Sequence, residues 1–218
     1  METPAIVVGN GEIGQRQILR RRLKTIRAPL VIAANGGSRL AQSLDLQVDV
    51  VIGDLDSLDP ESKLALTDSG ATFELSAAEK DETDLELALL YAASRGARQI
   101  IVLGAIGGRM DMTLANVLLL THPRLSTTRI QIWHEKQTAW LIRPPGEEIE
   151  GDPGDTLSLI PLSTDATGIS THHLAYPMSG DDLAFGPARG ISNVITGPVA
   201  RVDLKTGMLL AVHTPGRA

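Results

Sequence analysis

The 218-residue chain is 43% hydrophobic and 21% charged, with a formal net charge of −6, a globular composition long enough for one large domain or two modest ones. Its acidic balance, with only two Trp, two Tyr and two Phe, does not suit general nucleic-acid binding, which relies on basic surface and stacked aromatic rings. The absence of cysteine excludes disulfides, thiolate metal sites and a cysteine nucleophile, and no signal peptide or apolar run near the ~20 residues of a membrane helix is present, so a cytoplasmic protein without membrane contact is expected.

In chain order, residues 5–9 read as a short buried parallel strand, followed by a polar, Arg-rich helix around 15–25. Residues 30–34 form a second strand, 38–44 a short helix and 49–53 a third strand. Pro60 suits the first position of a helix over 60–69 that stops near Gly70, and 72–75 make a further strand. Thr83-Asp84-Leu85-Glu86 is a capping box opening an amphipathic helix with Leu85, Ala88, Leu89 and Ala92 on one face and Gly96 at its end. After a buried strand at 99–103, Asp111 is placed to cap a helix that carries Leu114, Val117 and Leu118 and ends before Pro123. The alternation predicts a three-layer α/β domain over residues 1–124, with a parallel sheet covered on both faces.

The pattern changes near Leu125. Short strands at 129–133, 139–142, 156–160, 201–204 and 208–213 are split by Gly and Pro turns, and Lys205-Thr206-Gly207 reads as a tight hairpin. No long helical pattern returns, which predicts an antiparallel β-sandwich over residues 125–218.

Four constellations carry chemistry. Gly9-Asn10-Gly11-Glu12-Ile13-Gly14 is a formal GxGxxG, but a dinucleotide site needs an acid at the end of the second strand and the chain offers Asn35; a glycine-rich turn is the plainer reading. In Gly53-Asp54-Leu55-Asp56-Ser57, carboxylates at i and i+2 of an extended segment face one side and suit one cation, the alternative being a solvated turn before Pro60. Lys80-Asp81-Glu82-Thr83-Asp84 sets two acids and a lysine around a helix start; Asp84 alone would complement the helix dipole, whereas the set suits a magnesium–phosphate cradle. Gly107-Gly108-Arg109-Met110-Asp111 offers backbone amides and a guanidinium fork to an anion, with Asp111 orienting the arginine or capping the helix. No GxSxG elbow or P-loop is present, and His122, His134, His172, His173 and His213 lack zinc spacing. Phosphoryl-type transfer by positioning and charge neutralisation fits best.

Taken in order, Ala34-Asn35-Gly36-Gly37, Gly53-Asp54-Leu55-Asp56-Ser57, Asp81-Glu82-Thr83-Asp84, Gly107-Gly108-Arg109-Met110-Asp111 and Gly190-Ile191-Ser192-Asn193 resemble the thiamine pyrophosphokinase (thiamine diphosphokinase) family over almost the whole length. The resemblance implies an α/β nucleotide domain followed by a β-sandwich, working as a homodimer with the thiamine cleft shared between subunits, and transfer of a diphosphate from ATP to the hydroxyl of thiamine with release of AMP. It implies that Asp54, Asp56, Asp81 and Asp84 form the magnesium and catalytic set with Arg109 and Asp111. It places Asn35, Gly36, Gly37, Ser57, Lys80, Thr83, Gly108, Arg109 and Asn116 against ATP, and Tyr176, Ser192 and Asn193 against thiamine. Three residues depart from the family pattern: Asn35 stands where Asp is usual, Met112 where many bacterial members have His, and Tyr176 where some have Trp. The rival readings are a pyrophosphokinase acting on another heteroaromatic alcohol such as a pterin, a module that binds nucleotide or thiamine diphosphate without turnover, and a nicotinamide-dependent dehydrogenase.

Overall fold

The computed structural model describes residues 3–54, 58–75 and 80–216 and divides the chain into two units, Met1–Glu135 and Lys136–Ala218. Among the described residues of the first unit, strands β1 (Ala5–Val8), β2 (Leu30–Ala34), β3 (Val50–Gly53), β4 (Thr72–Leu75), β5 (Gln99–Leu103) and β6 (Arg129–His134) form a parallel sheet in the order β6-β5-β1-β2-β3-β4. The helices are α1 (Arg16–Leu23), α2 (Gly37–Ser43), α3 (Pro60–Asp68), α4 (Asp84–Ser94) and α5 (Met110–Leu118).

The near-continuous apolar strands follow from burial on both faces. Ile6, Val8, Val31, Ala33, Val51, Ile101 and Leu103 point to one side and pack with Leu19 and Leu23 of α1, Ala41 of α2 and Leu66 of α3. The alternate residues Ala5, Val7, Ile32, Ala34, Ile100 and Val102 are also buried, and α4 packs on β1, β2 and β3 through Leu85, Ala88, Leu89 and Ala92. Each fully buried Leu or Ile contributes about 1.5–3 kcal/mol.

Local chemistry sets the helix starts. Asp59 caps α3 by accepting from the Ser62 amide at 2.8 Å, with Pro60 at the first helical position; that amide is the main reason its carboxyl lies near about 2. Thr83 caps α4 by accepting from the Glu86 amide at 3.2 Å, while the Glu86 carboxylate lies 3.4 Å from His122 Nε2.

Strand β6 differs from expectation. Residues 129–133 were read as the opening strand of the antiparallel domain, yet β6 pairs parallel with β5, Ile100 opposite Ile130 and Val102 opposite Ile132. Two 3₁₀ turns, Leu119–Thr121 and Pro123–Leu125, complete the crossover after α5, and the break they make in helical periodicity resembles a domain boundary. Trp133 at the end of β6 is covered by Arg22 of α1, 4.0 Å from ring centroid to guanidinium carbon, and burial lowers that arginine to about 10.

The second unit contains β7 (Gln137–Ile142), β8 (Gly146–Glu150), β9 (Thr156–Pro161), β10 (Ala166–His172), β11 (Ser179–Leu183), β12 (Asn193–Val194), β13 (Val199–Asp203) and β14 (Leu209–Thr214). Two antiparallel sheets, β12-β9-β14-β7 and β11-β10-β13-β8, share one core that includes Trp140, Leu157, Leu159 and Leu209 from the first and Ile149, Ile169, Leu183 and Val202 from the second. This is a sandwich. Lys205–Gly207 does not close a hairpin: β13 and β14 belong to different sheets, so the turn carries the chain from one layer to the other. Among the described residues no helix is long and apolar enough to cross a membrane.

The chain end of the sandwich is tied by one nearly buried acid. Asp155 accepts from the Asp152 amide at 3.0 Å, the Gly216 amide at 2.7 Å and His213 Nε2 at 2.8 Å. Burial alone would raise its carboxyl, but the amides and the imidazole outweigh that and hold it below the usual carboxylate range. A depressed folded value stabilises above the unfolded value, about 3.9, and that contribution is lost as pH falls through the folded one. Asp155→Ala is therefore expected to cost about 2–3 kcal/mol at pH 7, read by thermal melting, with the gap to the parent narrowing below about pH 4.

Candidate active site

Parallel strands deliver their following loops to one edge, where open α/β sheets place ligands. Here a cleft of about 450 Å³ is lined by Gly9–Glu12 after β1, Ala34 and Asn35 at the end of β2, Thr83–Leu85 at the start of α4, and Gly104, Ala105, Gly107–Arg109, Met112, Thr113 and Asn116 from the β5–α5 segment. A larger hollow of about 610 Å³ lies among the amino-terminal ends of β1, β5 and β6, and none of the described residues lining it is a carboxylate.

The walls are held together by backbone. Gly9 N–H donates to Leu103 O at 2.8 Å, Gly11 N–H to Gly104 O at 2.8 Å and Glu12 N–H to Ile106 O at 2.7 Å. A Cβ on Gly11 would sit 2.4 Å from Ile106 O and 2.5 Å from Gly104 O, so only glycine permits this approach. The GxGxxG run thus lines the cleft through its first four residues, a role its weak dinucleotide match did not reveal.

Acids meet nitrogen donors along the edge. Asn35 takes a left-handed φ of 44°, which asparagine tolerates, and its Nδ2 donates to Asp54 Oδ1 at 2.9 Å. Lys80 Nζ lies 2.5 Å from Asp84 Oδ1, both side chains partly buried. Asp81 is exposed in the turn before α4. Asp56 and Ser57 lie outside the described residues. Among the described residues no three Asp, Glu, His or Cys side chains are grouped closely enough to hold a metal. The donors on offer are carboxylate oxygens, a hard set that fits magnesium rather than a thiophilic ion.

Arg109 leads into α5 and forks onto Asp111, Nη2 at 2.5 Å and Nε at 3.2 Å. Asp111 lies inside the helix and Arg109 holds the N-cap position without a side-chain cap, so Asp111 orients the arginine. The guanidinium fork holds the Asp111 carboxyl below its usual range, and the carboxylate raises Arg109 in turn. Thr113 Oγ1 accepts from Gly107 N–H at 3.2 Å. Asn116, 8% exposed, donates from Nδ2 to Ala105 O at 2.8 Å, and its buried Oδ1 has no hydrogen-bond partner among the described residues. Gly36 and Gly37 are buried, and a Cβ on Gly37 would stand 2.0 Å from Val8 O, so Gly37 serves close packing of α2 on β1. Asn10 and Glu12 enter the cleft from the GxGxxG run, whose plainer reading is a turn, and Met112 from a position named only as a departure from the family pattern; Thr113 is a cleft residue that no motif singles out, and only its place in the first turns of α5 marks it.

The remaining three residues lie in the second unit. Tyr176 is 71% exposed and lines a hollow of about 130 Å³ with Pro177, Met178, Arg189, Ile191 and Asn193. Ser192 has a φ of 58° and its amide donates to Ser158 Oγ at 3.0 Å. Asn193 is buried.

Two protein-family models match the chain: one described as thiamin pyrophosphokinase, catalytic domain, over residues 23–133, the other as thiamin pyrophosphokinase, vitamin B1 binding domain, over residues 144–209. Among characterised sequences, the chain is similar to thiamine pyrophosphokinase of Bacillus subtilis (strain 168), 29% identical over 164 residues that cover 74% of this chain and 76% of that one. It is also similar to thiamine pyrophosphokinase 1 of Oryza sativa subsp. japonica, 25% identical over 174 residues, 75% of this chain and 65% of that one. Its fold superposes on the crystal structure of the Bacillus subtilis thiamine pyrophosphokinase with a TM-score of 0.86 at 22% identity, covering 98% and 99% of the two chains. On the yeast thiamin pyrophosphokinase the TM-score is 0.79 at 18% identity, covering 98% and 86%.

The Asn35–Asp54 contact yields a test that needs no substrate. Asn35→Asp replaces an amide donor by a second carboxylate 2.9 Å from Asp54, a like-charge pair costing about 1 kcal/mol in a solvated cleft. Thermal melting without divalent ions is expected to fall for this variant, and millimolar magnesium to restore it.

Proposed function

This chain belongs to the thiamin pyrophosphokinase family, and from that premise we propose how its residues share the work of moving a diphosphate from ATP to the hydroxyl of thiamine, giving thiamine diphosphate and AMP. One observation carries the assignment: Asn35, Thr83–Asp84 and Gly107–Arg109, drawn from three separate motifs, line a single cleft at the carboxyl edge of the parallel sheet. Asp54 joins it through Asn35.

The triphosphate lies along this edge. The amides of Gly107 and Gly108 and the start of α4 at Thr83 present partial positive charge to its oxygens, and Arg109, aimed by Asp111, forks onto them. Lys80 adds a point charge. Asn35, Gly36, Gly37, Ser57 and Asn116 complete the nucleotide contacts. Magnesium held by Asp54, Asp56, Asp81 and Asp84 would neutralise the phosphate charge. The thiamine hydroxyl oxygen bonds to the β-phosphorus, the bond from that phosphorus to the α–β bridging oxygen breaks, and AMP departs with that oxygen. The hydroxyl proton passes to Asp54 or Asp56. Tyr176 and Ser192 face the thiamine, with Asn193 beside Tyr176 and the exposed ring of Tyr176 offering its face to the cationic thiazolium. The working unit is a homodimer with the thiamine cleft shared between subunits, located in the cytoplasm.

Incubation with ATP, thiamine and magnesium is expected to release AMP and thiamine diphosphate in equal amounts, and chelation of magnesium to stop it. Release of ADP, or turnover with a pterin but not thiamine, would sink the reading. Asp56→Asn and Asp84→Asn are each expected to lower kcat by on the order of 100-fold or more with melting near that of the parent; parent-like turnover in either removes that carboxylate from the reaction.

A further inference from the structure

The resemblance sets Asn193 against thiamine, but its amide is engaged with the chain's own backbone. Its side chain is 5% exposed. Oδ1 accepts from Tyr176 N–H at 3.0 Å and from Val194 N–H at 2.9 Å, and Nδ2 donates to Tyr176 O at 2.7 Å. Both backbone groups of a single residue are therefore gripped by one buried amide. We infer that Asn193 is a positioning residue, a clamp that sets the Tyr176 ring through its backbone and does not itself bind substrate; this rests on the reading of Tyr176 as the thiamine contact.

The clamp has a rigid root. Asn193 and Val194 form β12, paired with Leu157 and Thr156 of β9. The preceding segment is pinned by Leu159 N–H donating to Gly190 O at 2.8 Å and Ser192 N–H to Ser158 Oγ at 3.0 Å. A Cβ on Gly190 would meet Leu159 O at 2.2 Å, so the segment lies flush on the strand. The loop bearing Tyr176 is laced to the same stretch by Ala175 N–H donating to Val194 O at 2.9 Å and Thr196 N–H to His173 O at 2.9 Å. Pro177 restricts the Tyr176 backbone from the other side. By contrast the tyrosine ring is mostly exposed, so little but its backbone fixes where it stands.

A clamp and a direct contact predict different couplings. Steady-state kinetics with varied thiamine, using the KM for ATP as internal control, separates them in a double-mutant cycle of Asn193→Ala and Tyr176→Ala. Tyr176→Ala is expected to raise the thiamine KM by on the order of tenfold, Asn193→Ala to raise it comparably, and the double variant to be no worse than Tyr176→Ala alone. If the two effects multiply, or if Asn193→Ala leaves the thiamine KM unchanged, the clamp is overturned while the thiamine site stands. An unchanged KM in Tyr176→Ala overturns the ring's role and the clamp with it. Should Asn193→Ala not fold, Asn193→Asp keeps the oxygen that accepts from the two amides and loses the donor to Tyr176 O. It is expected to show a smaller rise that again vanishes in the Tyr176→Ala background, and a rise that persists there overturns the clamp.

Discussion

The cleft depends on two strand-end loops meeting backbone to backbone. The loop after β1 donates its amides at Gly9, Gly11 and Glu12 to the carbonyls of Leu103, Gly104 and Ile106 at and after the end of β5. Such contact needs residues without a Cβ at the closest points, and Gly11 stands where any Cβ would fall inside carbonyl contact distance. Gly107, Gly108 and Arg109 stand on the second of these loops, while Asn35 and Thr83–Asp84 reach the same cleft from the end of β2 and the start of α4. β1 and β5 are adjacent central strands, so the most deeply packed part of the sheet fixes the frame on which the chemistry is arranged.

Charge is the second organising quantity. Carboxylates gathered at one edge repel, and the chain answers with its own nitrogen donors: an amide on Asp54, an ammonium on Asp84 and a guanidinium on Asp111. These contacts keep the acids oriented. The same nitrogens suit phosphate oxygens, so partners can be exchanged within one site as the nucleotide enters. The Asn35 amide stands out, since it trades a formal negative charge for a hydrogen bond at the position where the family pattern has an acid.

Much of this was legible in the sequence, and the failures have physical causes. The first five parallel strands and the N-cap at Thr83 could be read because continuous apolar runs and Ser/Thr/Asp caps are local signals. Asn35, Thr83–Asp84 and Gly107–Arg109 meet at one sheet edge because loops after parallel strands gather there, whereas Asp56 and Ser57 lie outside the described residues. Strand β6 was placed with the wrong partner, since strand pairing is a tertiary property and the 3₁₀ turns ahead of it mask the crossover. Strands β8, β10, β11 and β12 escaped notice: 146–150 and 179–183 are rich in Gly, Asp and Glu, and β12 is two residues long. Lys205–Gly207 carries hairpin chemistry but turns between layers, which no local pattern distinguishes. Asn116 and Thr113 support the cleft through side-chain hydrogen bonds to loop backbone, a role that leaves no periodic trace.

The grip on residue 176 falls on its peptide, so the placement of the aromatic platform and the identity of its ring are separate variables. Tyrosine or tryptophan at that position would stand on the same footing, differing only in breadth and in the edge each offers. On the proposed reading of Tyr176 as the thiamine contact, preference among thiamine analogues is then free to drift by exchange of one exposed ring, whereas the buried amide beneath it has no comparable latitude.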